Sequence, residues 1–161
     1  MEVKEISRDK VQSDALDIAI NNKRATLGIS MGVGKTRIAI QHLMKLYDPF
    51  IRVLVVVPKW SVKDSWEDEL QKMGNLDLIH HIKFSTYLSL NKLNPRDYDI
   101  VYLDECHSLL ESHKEFLSEF KGRILGLTGT PPKSGEKLKM VNKYCPVKYT
   151  FSVDDAADNS I

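Results

Sequence analysis

The sequence predicts an α/β domain whose mainly parallel sheet is covered by helices on both faces. Three observations lead there. Strand-like and helix-like segments alternate along the chain. The strands are continuous apolar runs such as Arg52–Pro58 (RVLVVVP), the pattern of strands buried on both faces. Polar clusters at Ser30–Thr36, Asp104–His107 and Thr128–Thr130 follow three of the strands, and ligands bind such sheets beyond the carboxyl ends of their strands.

In chain order, Ala25–Ser30 (ATLGIS) reads as a short buried strand. Beyond Lys35, a helix places Ala39, Ile40, Leu43, Leu46 and Tyr47 on one face. After the Arg52–Pro58 strand, Ser61–Met73 is expected to be a helix. Ser61 and Asp64 have capping-box spacing there, and Val62, Trp66, Leu70 and Met73 make its core stripe. Leu78–Thr86 is a weaker strand, which would send His80 and His81 to opposite faces and make them poor co-ligands. Tyr98–Glu105 is a buried strand ending in acids. Ser108–Phe120 is a helix turning Leu109, Leu110, Phe116, Leu117 and Phe120 inward. The strand that begins at Arg123 is broken by Gly129 and Pro131. Ser152–Ile161 is acidic and poor in large apolar residues, the expected loose end.

A length of 161 residues fits one domain with a substantial core. The apolar fraction of 42% and charged fraction of 28% are those of a globular protein. Net charge is +1, so no global field draws the chain onto polyanions, and any such site must be a local cluster. Cys106 and Cys145 are too few for a disulfide scaffold and lack metal-ligand spacing, which fits a reducing compartment and leaves one bridge open. Cys106 reads as a small packed residue. No apolar run can span a bilayer and no segment resembles a signal peptide. A membrane partner is therefore not expected, and the setting expected is intracellular, cytoplasmic or nuclear.

Met31-Gly-Val-Gly-Lys-Thr36 lies between an apolar strand and a helix. Backbone N–H groups of a tight glycine loop can surround a triphosphate, and the helix N-terminus adds about half a positive charge. Gly32 and Gly34 remove side chains that would block close approach, with Met31 and Val33 completing the loop. Lys35 would neutralise the outer phosphates, and the Thr36 hydroxyl would hold Mg²⁺. The strict phosphate-loop pattern places its first glycine where this chain has Ile29, and Gly28 falls one place early.

Val101–His107 (VYLDECH) supplies two further tools. Asp104 can bind Mg²⁺ through the ion's water shell. Glu105 can orient and deprotonate a water attacking the γ-phosphate. His107 sits where it could relay to a neighbouring element.

The order of these motifs resembles the first RecA-like motor domain of superfamily-two helicases and translocases of the DExH kind, nearest to Swi/Snf-like and phage-type members. MGVGKT is similar to their motif I, VLVVVPKWSVKDSWEDE to the motif Ia region, FSTY (Phe84–Tyr87) to motif Ib, DECH to motif II and LTGTP (Leu127–Pro131) to motif III. RDKVQ (Arg8–Gln12) is similar to the upstream adenine-reading element. The resemblance implies a RecA-like P-loop NTPase fold using ATP and Mg²⁺, with Lys35, Asp104, Glu105 and His107 in the catalytic machinery. It implies that Gln12 and Arg8 select adenine. Thr128, Gly129 and Thr130 would couple the nucleotide to nucleic-acid grip. Lys59, Ser85, Thr86 and Thr128 would lie along a nucleic-acid groove, DNA or RNA with DNA preferred, which contacts phosphates without reading sequence. A phage-encoded protein acting in host cytoplasm is one setting the resemblance allows.

Such motors place ATP between two RecA-like domains, the second of which supplies arginine fingers. No second motif set is found. Residues 1–150 are expected to form the first motor domain, and 151–161 a tail leading towards an absent second one, in an excised piece or a natural half-motor. A second reading makes the chain a nucleotide- or partner-binding module without turnover.

Overall fold

The computed structural model describes residues 7–30 and 32–159, so Met31 of the predicted loop lies outside the described residues. Its six strands are β1 (Arg24–Ile29), β2 (Val53–Val57), β3 (Ile82–Thr86), β4 (Ile100–Asp104), β5 (Arg123–Thr128) and β6 (Val147–Phe151). They form one sheet in the order β3-β2-β4-β5-β1-β6, and every neighbouring pair is parallel. The helices are α1 (Arg8–Asn21), α2 (Lys35–Leu46), α3 (Trp60–Lys72), α4 (Lys114–Glu119), α5 (Gly135–Tyr144) and α6 (Val153–Asp158).

Side chains alternate across each strand. Val53, Val55 and Val57 face a core shared with α1, α2 and α3, whereas Leu54 and Val56 face a second core built with α4 and α5. Both faces are therefore covered, which explains the uninterrupted apolar runs. Trp66 and Leu70 bury the inner side of α3, and Ile38, Ala39, Ile40 and Leu43 that of α2.

Several local expectations are corrected. Helix α3 starts at Trp60 with Lys59 as its N-cap and no side-chain cap, so Ser61 and Asp64 form no capping box. The Val62 N–H already bonds to the Lys59 carbonyl, which begins the turn one residue earlier than the pattern suggests. Leu76–His81 is a 3₁₀ turn and β3 begins only at Ile82, so the two histidines are not strand neighbours. The Ser108–Phe120 segment is not one helix. It comprises 3₁₀ turns at Cys106–Ser108 and Glu111–His113 and then the short α4. The cause is local competition for the backbone: the Leu110 N–H donates to His113 Nδ1 at 3.0 Å. His113 Nε2 is then free to donate to the Tyr87 carbonyl at 2.8 Å. Leu110 and Tyr47, expected inside, are exposed.

The C-terminal stretch is not loose over its described part. Phe151 ends β6 and is buried, and the Ser152 side chain accepts from the Asp155 N–H in a capping box that starts α6. Ala156 joins the same core as Phe151.

Candidate nucleotide site

The strand order brings together groups that are distant in sequence. The loop after β1, the acidic end of β4 and the end of β5 share the carboxyl edge, with β5 hydrogen-bonded between β4 and β1. Gly32 and Gly34 take positive φ of 91° and 97°, the region that favours glycine. Gly34 is the left-handed N-cap of α2, and Lys35 and Thr36 open the helix. A Cβ on Gly34 would meet Gln12 Nε2 at 2.7 Å. That amide donates to the Val33 carbonyl at 2.7 Å, so α1 braces the loop through buried Gln12. Arg8 is exposed at the start of α1, on the same edge.

Lys35 Nζ forms an ion pair and hydrogen bond with Glu105 Oε1. Glu105 has φ 54° and ψ 58°, the only positive φ of a non-glycine residue among those described. Such a conformation costs roughly 1–3 kcal/mol and clusters at functional sites. Here it turns the chain sharply out of β4 and aims the carboxylate across the edge. Its second oxygen, Oε2, lies 3.4 Å from His107 Nδ1. His107 Nδ1 is 2.8 Å from Thr128 Oγ1, which also accepts from the Thr130 N–H at 3.1 Å. Lysine, glutamate, histidine and two threonines thus form one polar chain from the β1 loop to the end of β5.

Asp104 is buried. Burial pushes its carboxyl pKa up, opposed by hydrogen bonding from Trp66 and the charge of Lys35. Trp66 Nε1 donates to Asp104 Oδ2 at 2.8 Å, and the Tyr87 hydroxyl donates to the Asp104 carbonyl at 2.7 Å. Neither contact was anticipated. Trp66 sits in the core as expected, but nothing in helical spacing reveals where an indole N–H points. Gly28, displaced from the strict motif, has another use. A Cβ there would meet Pro131 Cγ at 2.6 Å, so Gly28 admits the Gly129–Pro131 turn against β1.

Of the residues expected along a nucleic-acid groove, Lys59 is exposed and Thr86 half-buried. Ser85 is buried and its hydroxyl donates to the Thr86 carbonyl at 3.0 Å. Thr128 is fully buried and engaged with His107. As they stand, neither hydroxyl faces solvent where a backbone phosphate would run.

The residues fit a magnesium ion and a triphosphate. Asp104 is a carboxylate whose charge is poorly solvated, and the Thr36 side chain makes no hydrogen bond among the described residues. Ser30 Oγ, buried at the root of the loop, likewise has no partner among them. No group of three or more His, Cys, Asp or Glu residues forms an all-protein metal cage among the described residues. Mg²⁺, which keeps most of its water, does not need one.

A family model described as type III restriction enzyme, res subunit (ResIII) matches residues 5–133. The chain belongs to this family. Its fold is that of RecA-like helicase domains. The ResIII chain superposes on the UvsW helicase of bacteriophage T4 with TM-score 0.72, at 15% identity over 92% of this chain and 64% of that one. The Sulfolobus solfataricus SWI2/SNF2 ATPase core, solved with dsDNA, gives TM-score 0.56 at 19% identity over 81% of this chain and 32% of that one. At such identity both likenesses speak to the fold. In sequence, the African swine fever virus protein QP509L (isolate Pig/Kenya/KEN-50/1950), whose name assigns it provisionally as an ATP-dependent RNA helicase, is 31% identical over 67% of this chain. The ResIII chain spans about a quarter of the length of the curated relatives it matches. No helix of the described residues is long and apolar enough to cross a membrane.

Proposed function

We propose that this ResIII domain is the ATP-binding first motor domain of a nucleic-acid helicase or translocase, hydrolysing ATP with Mg²⁺ when closed against a second RecA-like domain. The observation that carries the reading is the Lys35–Glu105 pair. A phosphate-loop lysine and a strand-end acid, far apart in sequence, meet at one point on the ligand-binding edge of the sheet. Nucleotide phosphates would lie on the N–H groups that open α2, and Lys35 would leave Glu105 to bind them. Glu105, freed, can take the proton of the attacking water. His107, Thr128 and Thr130 would carry that change along the end of β5. Bound Mg²⁺ would supply charge neutralisation on the phosphates, held by Thr36 and, through water, Asp104. Arg8 and the side-chain carbonyl of Gln12 would read adenine, the Gln12 amide N–H₂ being spent in part on Val33.

Lys59 and Thr86 would face the nucleic acid, DNA in preference to RNA, with Ser85 and Thr128 supporting that edge from beneath. Lys35→Ala should remove most ATP affinity while the circular dichroism spectrum and melting temperature stay unchanged. Isothermal titration with ATP and Mg²⁺ decides, and equal affinity in both proteins sinks the phosphate-loop assignment. ATP binding without turnover, even in a longer chain carrying a second domain, would instead identify a non-catalytic binding module.

A further inference from the structure

Exposed apolar side chains lie in the segments that follow three neighbouring strands, β3, β2 and β4. Trp60 follows β2 and is 56% exposed, Leu88 follows β3 and is 92% exposed, and Leu110 follows β4 and is 54% exposed. Among the described residues, the other exposed large apolar side chains, Met44, Tyr47, Phe50 and Leu76, precede β2 or β3 and belong to the opposite edge. Trp60 stands out because a tryptophan buried in this fold has its place: Trp66, on the same helix, is fully buried. Trp60 is left in solvent beside charge that attracts anions. Lys59, the exposed N-cap, precedes it, the first turn of α3 holds no acidic residue, and no side chain caps its N–H groups. Lys63 lies one turn on, on the same side of the helix; its Nζ is paired with Glu67 Oε1 at 3.4 Å and lies 5.5 Å from the centre of the Phe84 ring of β3, which leaves Lys59 as the cation beside Trp60. β3 lies beside β2, and Leu88 follows β3 in a 3₁₀ turn, so α3 and Leu88 leave the same edge of the sheet from neighbouring strands.

We propose that Trp60 stacks on an unpaired base of a nucleic-acid strand, with Leu88 extending the apolar surface and Lys59 and the first turn of α3 on the phosphates. The inference rests on reading this edge as the nucleic-acid surface, and it names the form of the ligand. A stacking indole needs a base free of its neighbours, so this domain grips single-stranded or locally splayed nucleic acid in preference to closed duplex. A strand offers a flat apolar face and an adjacent anion in each nucleotide, the pair of features that Trp60 and Lys59 complement. An apolar protein partner would leave Lys59 and the open helix end unmatched.

The test uses this chain with an oligonucleotide of about 12 nucleotides, within the site sizes of single-strand binders, single-stranded and as the matched duplex. Affinity is read from the anisotropy of a fluorescein-labelled oligonucleotide, which serves every variant, and tryptophan emission reports contact at Trp60 in the proteins that keep it, since Trp66 is buried and Trp60 is the exposed indole. Single strand should quench the emission, and Trp60→Ala should lose about 5- to 100-fold of single-strand affinity with little change for duplex. Trp60→Phe should keep most of it and Leu88→Ala lose less. Lys59→Ala should weaken both forms alike and lower the salt slope by about one. Unchanged melting temperatures confirm the folds. If Lys59→Ala weakens binding but Trp60→Ala leaves the single-strand to duplex ratio unchanged, stacking is overturned and the surface reading survives. If the wild type binds neither form, both fall. If Trp60 emission responds only to protein concentration, with self-association by sedimentation, the patch is a protein contact and the proposal fails.

Discussion

At the amino edge of the sheet, arginines are tied to the frame. Arg52 Nη2 donates to Asp99 Oδ1 at 3.1 Å, Arg24 Nη2 to the Phe120 carbonyl at 2.6 Å and Arg123 Nη1 to the Ile20 carbonyl at 3.1 Å. At the carboxyl edge the charged contacts run from side chain to side chain: Lys35 to Glu105, Glu105 to His107, Trp66 to Asp104. Two of the three acceptors in the first set are backbone carbonyls, of Phe120 beyond α4 and of Ile20 in α1, which cannot swing away as a side chain can, so those arginines tie the sheet to its helices. A lysine or a carboxylate can change rotamer, so the second set can exchange one partner for a ligand. Charge thus ties the frame at one edge and, on the proposed function, is left to serve chemistry at the other.

The largest expected effect tests whether any of these arginines can be recruited to the chemistry. An arginine finger is worth about 10³–10⁵ in rate. Arg24, Arg52 and Arg123 are held at the wrong edge, and Arg37, in the first turn of α2, is paired with Glu69 Oε1 at 3.3 Å. The 161-residue chain should therefore release phosphate about 10³–10⁵-fold more slowly than a longer chain with a second RecA-like domain, with or without nucleic acid. Robust, nucleic-acid-stimulated turnover by the monomer would mean that an arginine within it reaches the phosphate.

A smaller effect sharpens the exchange of partners at the carboxyl edge. Glu105→Gln keeps the shape of the side chain but removes the base and the charge that Lys35 pairs with. In the longer chain, turnover should fall by roughly 10²–10⁴-fold, while ATP affinity is kept or rises because Lys35 is already free. Quenched-flow turnover and a parallel ATP titration separate the two. Weaker ATP binding would show that Glu105 positions the loop rather than waiting to be released.

The carboxyl edge was the more legible of the two in sequence. The residues proposed for its chemistry sit in short contiguous strings, Gly32–Thr36, Asp104–His107 and Thr128–Thr130, whose residue types are those that phosphate, metal and water would call for. The parallel sheet was legible because burial on both faces leaves apolar runs such as Val53–Val57. Helices α1 and α5 and strand β6 were not read. The buried face of α1 is Val11, Gln12, Ala15, Leu16 and Ala19, mostly small or polar, and in β6 only Val147 and Tyr149 are half-buried ahead of the buried Phe151, with Lys148 and Thr150 exposed between them. The break in the Ser108–Phe120 segment depends on His113 finding the Tyr87 carbonyl, a partner that local pattern cannot reveal. The same holds for Trp66 and Asp104. Residue type was readable, whereas the direction of a polar atom within the core was not.

Between the edges, His42 on α2 tests how far the core supports the site. Its Nδ1 is 2.7 Å from the Tyr102 hydroxyl, and Tyr102 in turn packs against Trp66, ring centroids 5.8 Å apart. Burial, aided by the charge of Arg123, pushes the His42 pKa down to about 4. An unfolded histidine titrates near 6.5. Below that value the unfolded chain binds a proton that the fold refuses, so stability is lost progressively as pH falls from about 6.5 towards 4, by about 3 kcal/mol at most. Urea unfolding across that range should show the slope in the wild type and a shallower one in His42→Gln. Equal slopes would mean that His42 takes up its proton in the fold.

The smallest effect isolates the Trp66–Asp104 hydrogen bond, where the core meets the chemistry. Trp66→Phe removes the indole donor to Asp104 Oδ2 and leaves part of the indole volume empty. Losing a donor to a buried acceptor costs roughly 1–3 kcal/mol, more when the acceptor is charged, and the lost volume adds a cost that does not depend on pH. The two separate by titration. Burial already holds the Asp104 carboxyl above its ordinary range, and loss of the Trp66 bond raises it further. A group whose folded pKa exceeds its unfolded one weakens the fold when ionised, and that penalty is relieved as pH falls through the folded value and the carboxyl takes up its proton. The stability gap between Trp66→Phe and wild type should therefore be widest near neutral pH and narrow as the solution is acidified. His42 is present in both proteins, so its titration cancels in the difference. A gap that stays constant with pH would reduce Trp66 to a space-filling side chain, and the site would then begin at Asp104 itself rather than at the core that carries it.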